Sequence, residues 1–208
     1  MTGRSKAALL GVGIMVAVLT SAALVIDAAY PPALERYSER SSAVVDADGH
    51  ILRAFTAKNG VWRFAADPGE VDPTYLEMLT LYEDKRFFRH PGVDPLAIAR
   101  AAFQWASTGR PVSGASTLTM QVVRLLEPRP RTLASKVIEV ARALQLEWRF
   151  SKREILSIYL TIAPFGGNLE GIKAAVRFYL GKEPKRLTPG EAALLVVLPQ
   201  SPEKYRPD

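Results

Sequence analysis

Helical periodicity runs through the sequence from Pro73 onward, and it limits what the chain can fold into more than any other feature. At ~100° per residue, Tyr75, Leu76, Met78, Leu79 and Tyr82 gather on one side of a helix that begins near Pro73. Further helical patterns cover Pro95 to Ser107, Leu133 to Phe150, Lys152 to Ile162 and Glu191 to Leu198. Strand patterns are confined to the stretch before Pro73. Val44-Val45, the turn Asp46-Ala47-Asp48-Gly49 and Ile51 to Phe55 form hairpin signals, and Val61 to Phe64 alternates as a third strand after Asn59-Gly60. The body is therefore expected to be mainly α, with a small N-terminal β-hairpin region. With 208 residues and 48% hydrophobic composition, the chain can bury one core.

Ala7 to Ile26 stands apart because it carries no charge, and it meets the ~20 residues a helix needs to cross a bilayer. Arg4 and Lys6 precede it, which holds the N-terminus in the cytoplasm and sends the body to the outer face of the membrane. A cleaved signal peptide is the competing reading, since Ser21-Ala22-Ala23 and Asp27-Ala28-Ala29 are small. The apolar run, however, exceeds the usual h-region of ~7–15 residues. The expected division is a tail and transmembrane anchor over residues 1–29, a connector over 30–42 containing Pro31-Pro32, and a domain over 43–208. The 27 basic and 21 acidic residues leave a net charge of +6, compatible with nucleic acid, an anionic membrane surface or a phosphorylated substrate. The absence of cysteine excludes disulfides and thiolate metal sites, and two histidines leave no His-rich metal set.

Glu83 falls on the apolar side of the first helix, between the directions of Leu79 and Leu76, while Asp84 points roughly opposite with Glu77. A carboxylate among apolar groups loses hydration and becomes a better proton acceptor near neutral pH. The ordinary meaning of such a charged run is a solvated turn. Gly114-Ala115-Ser116-Thr117-Leu118-Thr119-Met120-Gln121 places hydroxyls at a helix start, where unpaired N–H groups can cradle phosphate oxygens or form a plain N-cap. In the next helix Leu133, Val137, Val140, Ala141, Leu144 and Trp148 share one face, and Lys136, Glu139 and Arg142 follow at i, i+3 spacing away from it. That pattern usually means a surface ion-pair ladder. His90 suits a hydrogen bond that fixes the loop after Glu83. Ser201-Pro202-Glu203-Lys204 has the Ser-x-x-Lys spacing of acyl-serine enzymes, but Pro202 opposes the helical turn and the companion motifs are absent.

The order of these signals is more specific than any one of them. Glu83-Asp84-x-x-Phe87-x-x-His90-x-Gly92, Gly114-x-Ser116-Thr117-x-Thr119-x-Gln121, Lys136-x-x-Glu139, Lys152-x-Glu154-Ile155-Leu156-x-x-Tyr159-Leu160, Tyr179-Leu180-Gly181-Lys182 and Glu191-Ala192-Ala193-Leu194-Leu195 closely resemble the peptidoglycan glycosyltransferase domain (family 51) of bifunctional penicillin-binding proteins. The resemblance covers roughly residues 43 to 208. Met120, where most members carry Gln, and Ala163-Pro164-Phe165-Gly166-Gly167 make it most similar to the 1C type. Ser135 stands where most of the family has Arg. The sequence also stops at Asp208, before the family's final basic helix and transpeptidase domain, and so resembles a truncated domain.

The resemblance implies a lysozyme-like, two-lobed, mainly α fold and a membrane enzyme that polymerises lipid II onto a growing glycan strand, with inversion and release of undecaprenyl pyrophosphate. Glu83 matches the base and Glu139 the second catalytic carboxylate. Asp84, His90, Ser116, Thr117, Gln121, Arg124 and Lys136 match substrate-binding positions. No cofactor is evident; a divalent cation, Mg or Mn, is the one the resemblance leaves open. The implied partners are lipid II, the glycan strand, the membrane and other cell-wall synthesis proteins, without nucleic acid. The implied location is the inner membrane, single-pass, with the body periplasmic. The alternatives are a non-catalytic scaffold that binds lipid II and a lysozyme-like hydrolase.

Overall fold

The computed structural model describes residues 3–48, 51–109, 116–205 and 207; Gly49, His50, Gly114 and Ala115 lie outside the described residues. The chain divides into two units, residues 1–32 and 33–208. The first is a single helix, α1 (Gly3–Ala29), whose side chains Ile14, Met15, Val18, Leu24, Val25 and Ile26 are each more than half exposed. Among the described residues no helix is long and apolar enough to cross a membrane.

The helices of the second unit are α2 (Glu35–Ser38), α3 (Pro73–Glu83), α4 (Pro95–Thr108), α5 (Leu118–Leu126), α6 (Leu133–Arg149), α7 (Lys152–Ile162), α8 (Ile172–Leu180), α9 (Pro189–Val197) and α10 (Pro202–Tyr205). This is the mainly helical body that the periodicity requires. Helix α7 is its centre: Ile155, Leu156, Ile158, Tyr159, Leu160, Thr161 and Ile162 are all buried. Its start is fixed by reciprocal capping, in which Ser151 N donates to Glu154 Oε2 at 2.7 Å and Glu154 N donates to Ser151 Oγ at 3.3 Å. Helices α5, α6 and α8 pack on α7, and α3 packs on α9.

Strands β1 (Ser42–Val45) and β2 (Ile51–Phe55) pair antiparallel, with Ser42 opposite Phe55, as the hairpin signals require. Strand β3 (Trp62–Arg63) falls within the third strand read from Val61 to Phe64, but it does not join the hairpin. It pairs in parallel with β5 (Leu169–Glu170), which pairs antiparallel with β4 (Pro164–Gly166). Arg63 supplies the reason. Its side chain is fully buried and donates from Nε to Glu170 Oε2 at 2.7 Å and from Nη1 to the carbonyls of Arg36 and Glu39 at 2.6 and 2.7 Å. A buried guanidinium is stable only when its donors are met, and those partners lie on β5 and along α2.

Gly92 sets how closely the loop after α3 approaches α6. Its φ of +87° suits glycine, and a Cβ there would lie 2.7 Å from the Ala143 carbonyl oxygen and 2.8 Å from Glu147 Cγ. Gly92→Ala should therefore lower folding stability by roughly 2 kcal/mol or more. A denaturation midpoint equal to that of the wild type would show that α6 yields without cost.

Candidate active site

Glu83 ends α3. Asp72 caps the start of that helix by accepting from Thr74 N at 2.8 Å, with Pro73 in the first helical position, where a missing N–H costs nothing. Tyr75 and Leu79 are fully buried, and Glu83 follows one turn after Leu79. The expectation that Glu83 lies among apolar groups is met only in part. It is half-buried, and both of its oxygens hold amide donors: Gln121 Nε2 reaches Oε2 at 2.7 Å and Gln200 Nε2 reaches Oε1 at 3.0 Å.

Asp84 corrects the helical projection. The helix ends before it, and at φ −161°, ψ 79° the chain turns its carboxylate inward instead of towards solvent. Asp84 is 7% exposed; its oxygens lie 2.9 and 3.0 Å from His90 Nε2, and Oδ2 accepts from Leu118 N at 3.0 Å. A carboxylate only accepts, so His90 Nε2 carries the proton and donates. Thr117 caps α5 by accepting from Met120 N at 3.2 Å and donates its own hydroxyl to the Gly92 carbonyl at 2.5 Å. Of the two readings of this helix start, the plain N-cap is the one that describes Thr117. The amides of Leu118 and Met120 and the Thr117 hydroxyl are engaged, and Gln121 N donates to the Thr117 carbonyl at 3.0 Å. Asp84, His90 and Thr117 fix the loop and α5 relative to each other.

The cations gather one turn further along α5. Arg124 grips Glu139 with two hydrogen bonds, Nε to Oε1 at 2.9 Å and Nη2 to Oε2 at 3.2 Å. Lys136 Nζ donates to Glu139 Oε2 at 3.1 Å and to Ser116 Oγ at 2.6 Å. Burial pushes the Glu139 carboxyl up, but the hydrogen bonds and charges of Arg124 and Lys136 outweigh it and hold the group below its ordinary value. Glu139 is 7% exposed, whereas the Arg124 and Lys136 side chains are 40% and 41% exposed. The anion is inside and its two cations face outward, with one positive charge in excess. Arg142 leaves the expected ladder and pairs with Glu127 at 3.3 Å. Ser135 lies in the first turn of α6, where its N donates to the capping hydroxyl of Thr132 at 3.1 Å.

Helix α6 reverses the expected orientation. Leu133, Val137, Leu144 and Trp148 are 88%, 69%, 46% and 70% exposed, while Glu139, Ala143 and Leu146 are buried. Val140 of that face packs against the core, but its other large apolar side chains point outward, and the charged side is taken up by Arg124, which α5 presents to it.

A divalent cation does not fit these residues. Glu139, the carboxylate nearest in role, already carries two positive partners, and among the described residues no group of three or more His, Asp or Glu side chains could hold a metal ion.

Gln121 and Arg124 lie three residues apart on α5, a rise of ~4.5 Å, so one helix face touches both Glu83 and Glu139. The arrangement sets a carboxylate that can take a proton beside a pair of exposed cations that can meet developing negative charge. Gln200 escaped the sequence reading. It sits in the turn Leu198–Gln200, where no periodicity marks it.

The transglycosylase family model matches residues 48–208. The chain is 54% identical to penicillin-binding protein 1C of Escherichia coli (strain K12) over 79% of its length and 21% of that protein's. It is 35% identical to penicillin-binding protein 1A of Aquifex aeolicus (strain VF5), over 85% of this chain and 24% of that one. It is also 34% identical to penicillin-binding protein 1F of Bacillus subtilis (strain 168), over 80% and 23%. The chain thus spans between a fifth and a quarter of the length of these relatives. Every residue of the two carboxylate clusters lies within the matched span, and with that span covering most of its length the chain belongs to the transglycosylase family.

Proposed function

We propose that this chain is a membrane-anchored peptidoglycan glycosyltransferase that joins lipid II into glycan strands with inversion and releases undecaprenyl pyrophosphate. The observation that carries the reading is the pairing, along one face of α5, of a clamped carboxylate with exposed cations: Glu83 through Gln121, and Lys136 and Arg124 through Glu139. Inversion needs a base on the acceptor side and charge stabilisation on the leaving-group side. Glu83 takes the proton of the acceptor 4-hydroxyl as that oxygen attacks the anomeric carbon. Lys136 and Arg124 meet the charge that builds on the departing pyrophosphate, and the Ser116 hydroxyl, which accepts from Lys136, keeps its own O–H to donate a hydrogen bond there. Glu139 keeps the two cations in place, and its lowered pKa keeps it ionised while they act. Asp84, His90 and Thr117 hold α5 against the loop that carries Glu83.

Incubation of the purified protein with labelled lipid II in detergent tests the reading, with glycan strands as the expected product. Binding of lipid II without turnover would instead favour a scaffold, and breakdown of preformed glycan a hydrolase.

The proposed location is the inner membrane, with the body on the periplasmic side. It rests on the charge-free run Ala7 to Ile26 behind Arg4 and Lys6. Exposed Leu133, Val137 and Trp148 on α6 and Leu96 and Phe103 on α4 support contact with a lipid surface, since apolar exposure on this scale usually marks an interaction site. Protease added to spheroplasts should digest the body; a protected body would overturn this topology.

A further inference from the structure

We propose that Gln200 is a positioning residue for the base, holding Glu83 Oε1 in line with the acceptor hydroxyl; this inference rests on the reaction proposed above. The two amides that grip Glu83 are not equivalent. Gln121 holds Oε2 and belongs to α5, one turn from Arg124, so Oε2 lies on the side of the cation pair. Oε1 is held by Gln200, an exposed residue of the Leu198–Gln200 turn that follows α9. In an inverting displacement the acceptor arrives on the face away from the leaving group, which makes Oε1 the oxygen that receives its proton.

The Glu83 carboxylate orients the Gln200 amide. A carboxylate only accepts, so Gln200 turns its NH2 end to Glu83, and its Oε1 accepts from Tyr82 Oη at 3.4 Å. A carboxylate oxygen has two lone-pair directions, so one donor from Gln200 steers the other direction towards the incoming hydroxyl without displacing it. The packing of α3 against α9 keeps the Gln200 turn beside the end of α3. Gln200 acts only on the base and leaves the Arg124–Lys136–Glu139 cluster untouched.

Few other groups bear on Glu83. Tyr75 on its own helix and Tyr159 on α7 are fully buried. Burial, the neighbouring phenol in the case of Tyr159, and the Glu83 charge all raise their hydroxyls, so both stay neutral across the working range. On α5 the nearest charge is Arg124, already paired with Glu139. Asp84, the next residue, is paired with His90. The Leu198–Gln200 turn itself carries no ionisable side chain.

The test is the pH dependence of kcat/KM for labelled lipid II in the full-length protein, for wild type, Gln200→Leu and Gln200→Glu. Loss of one donor should move the acid limb up by roughly half a unit, and a second carboxylate at hydrogen-bond distance by more than about one unit. Binding of a lipid II analogue should stay within about twofold in both variants, because the cation pair is intact. An active wild type whose acid limb is unmoved in Gln200→Glu would overturn the role of Gln200 alone. A folded wild type that forms no strands at any pH would overturn the underlying reaction and this inference with it.

Discussion

Glu83→Gln is expected to reduce glycan polymerisation by about 10²–10⁴-fold while the melting temperature and donor-analogue binding stay close to wild type. The substitution keeps size and shape but removes the ability to take a proton. It also places an NH2 group where the clamp expects two acceptor oxygens. Gln121 Nε2 and Gln200 Nε2 now both approach Glu83 as donors, so in the variant one of these amides must rotate to present its oxygen. Gln200 can do this at the surface, and the fold should tolerate it. The decisive comparison is single-turnover conversion of labelled lipid II by the variant with Glu139 unchanged. Turnover near the wild-type rate would remove Glu83 from the mechanism.

The second large effect is expected at Lys136. Its ammonium is joined to Glu139 at 3.1 Å and to Ser116 at 2.6 Å, whereas both hydrogen bonds of Arg124 go to the Glu139 carboxylate. Lys136→Ala should cost about 10²–10³-fold in kcat, the range seen when one preorganised transition-state donor is lost. Stability should change little, because Arg124 still neutralises buried Glu139. Ser135 then matters, since it stands one residue before Lys136 in the first turn of α6. Ser135→Arg in the Lys136→Ala background should recover part of the loss, because a guanidinium is long enough to supply the missing charge and can grip two phosphate oxygens. The checks are lipid II consumption by both single variants and the double. Lys136→Ala close to wild type, with strictly additive effects, would show that neither residue meets the pyrophosphate.

Much of the fold was legible because apolar periodicity is a local property. The pattern over Lys152 to Ile162 coincides with α7, and the onset at Pro73 coincides with the first position of α3. What periodicity lacks is knowledge of which side of a helix meets the protein. Leu133, Val137, Leu144 and Trp148 do share a face of α6, but that face looks outward because a buried carboxylate with two cations offsets its own desolvation on the other side. The partner of β3 was illegible for a different reason: Arg63 and Glu170 are 107 residues apart, and a two-residue strand carries no register. At the site, Glu83, Lys136 and Glu139 stood out through spacing and resemblance. The inward turn of Asp84 depends on one extended residue after the helix, and Gln200 on the packing of α3 against α9.

The reversed helix changes how substitutions along it should be ranked. On most helices, hydrophobicity marks the positions where change is least tolerated. On α6 the intolerant positions are polar ones, because replacing Glu139 with a well-fitting apolar residue would leave Arg124 and Lys136 repelling each other without a counter-charge between them. At Leu133, Val137 and Trp148, all exposed, a polar residue disturbs no protein neighbour of comparable importance, and under the proposed membrane contact selection there acts through the lipid. A variant library of α6 screened for folding alone would thus pass nearly any residue at its greasiest positions. Under the proposed lipid contact, the same library screened for work at a membrane surface would reject polar residues there.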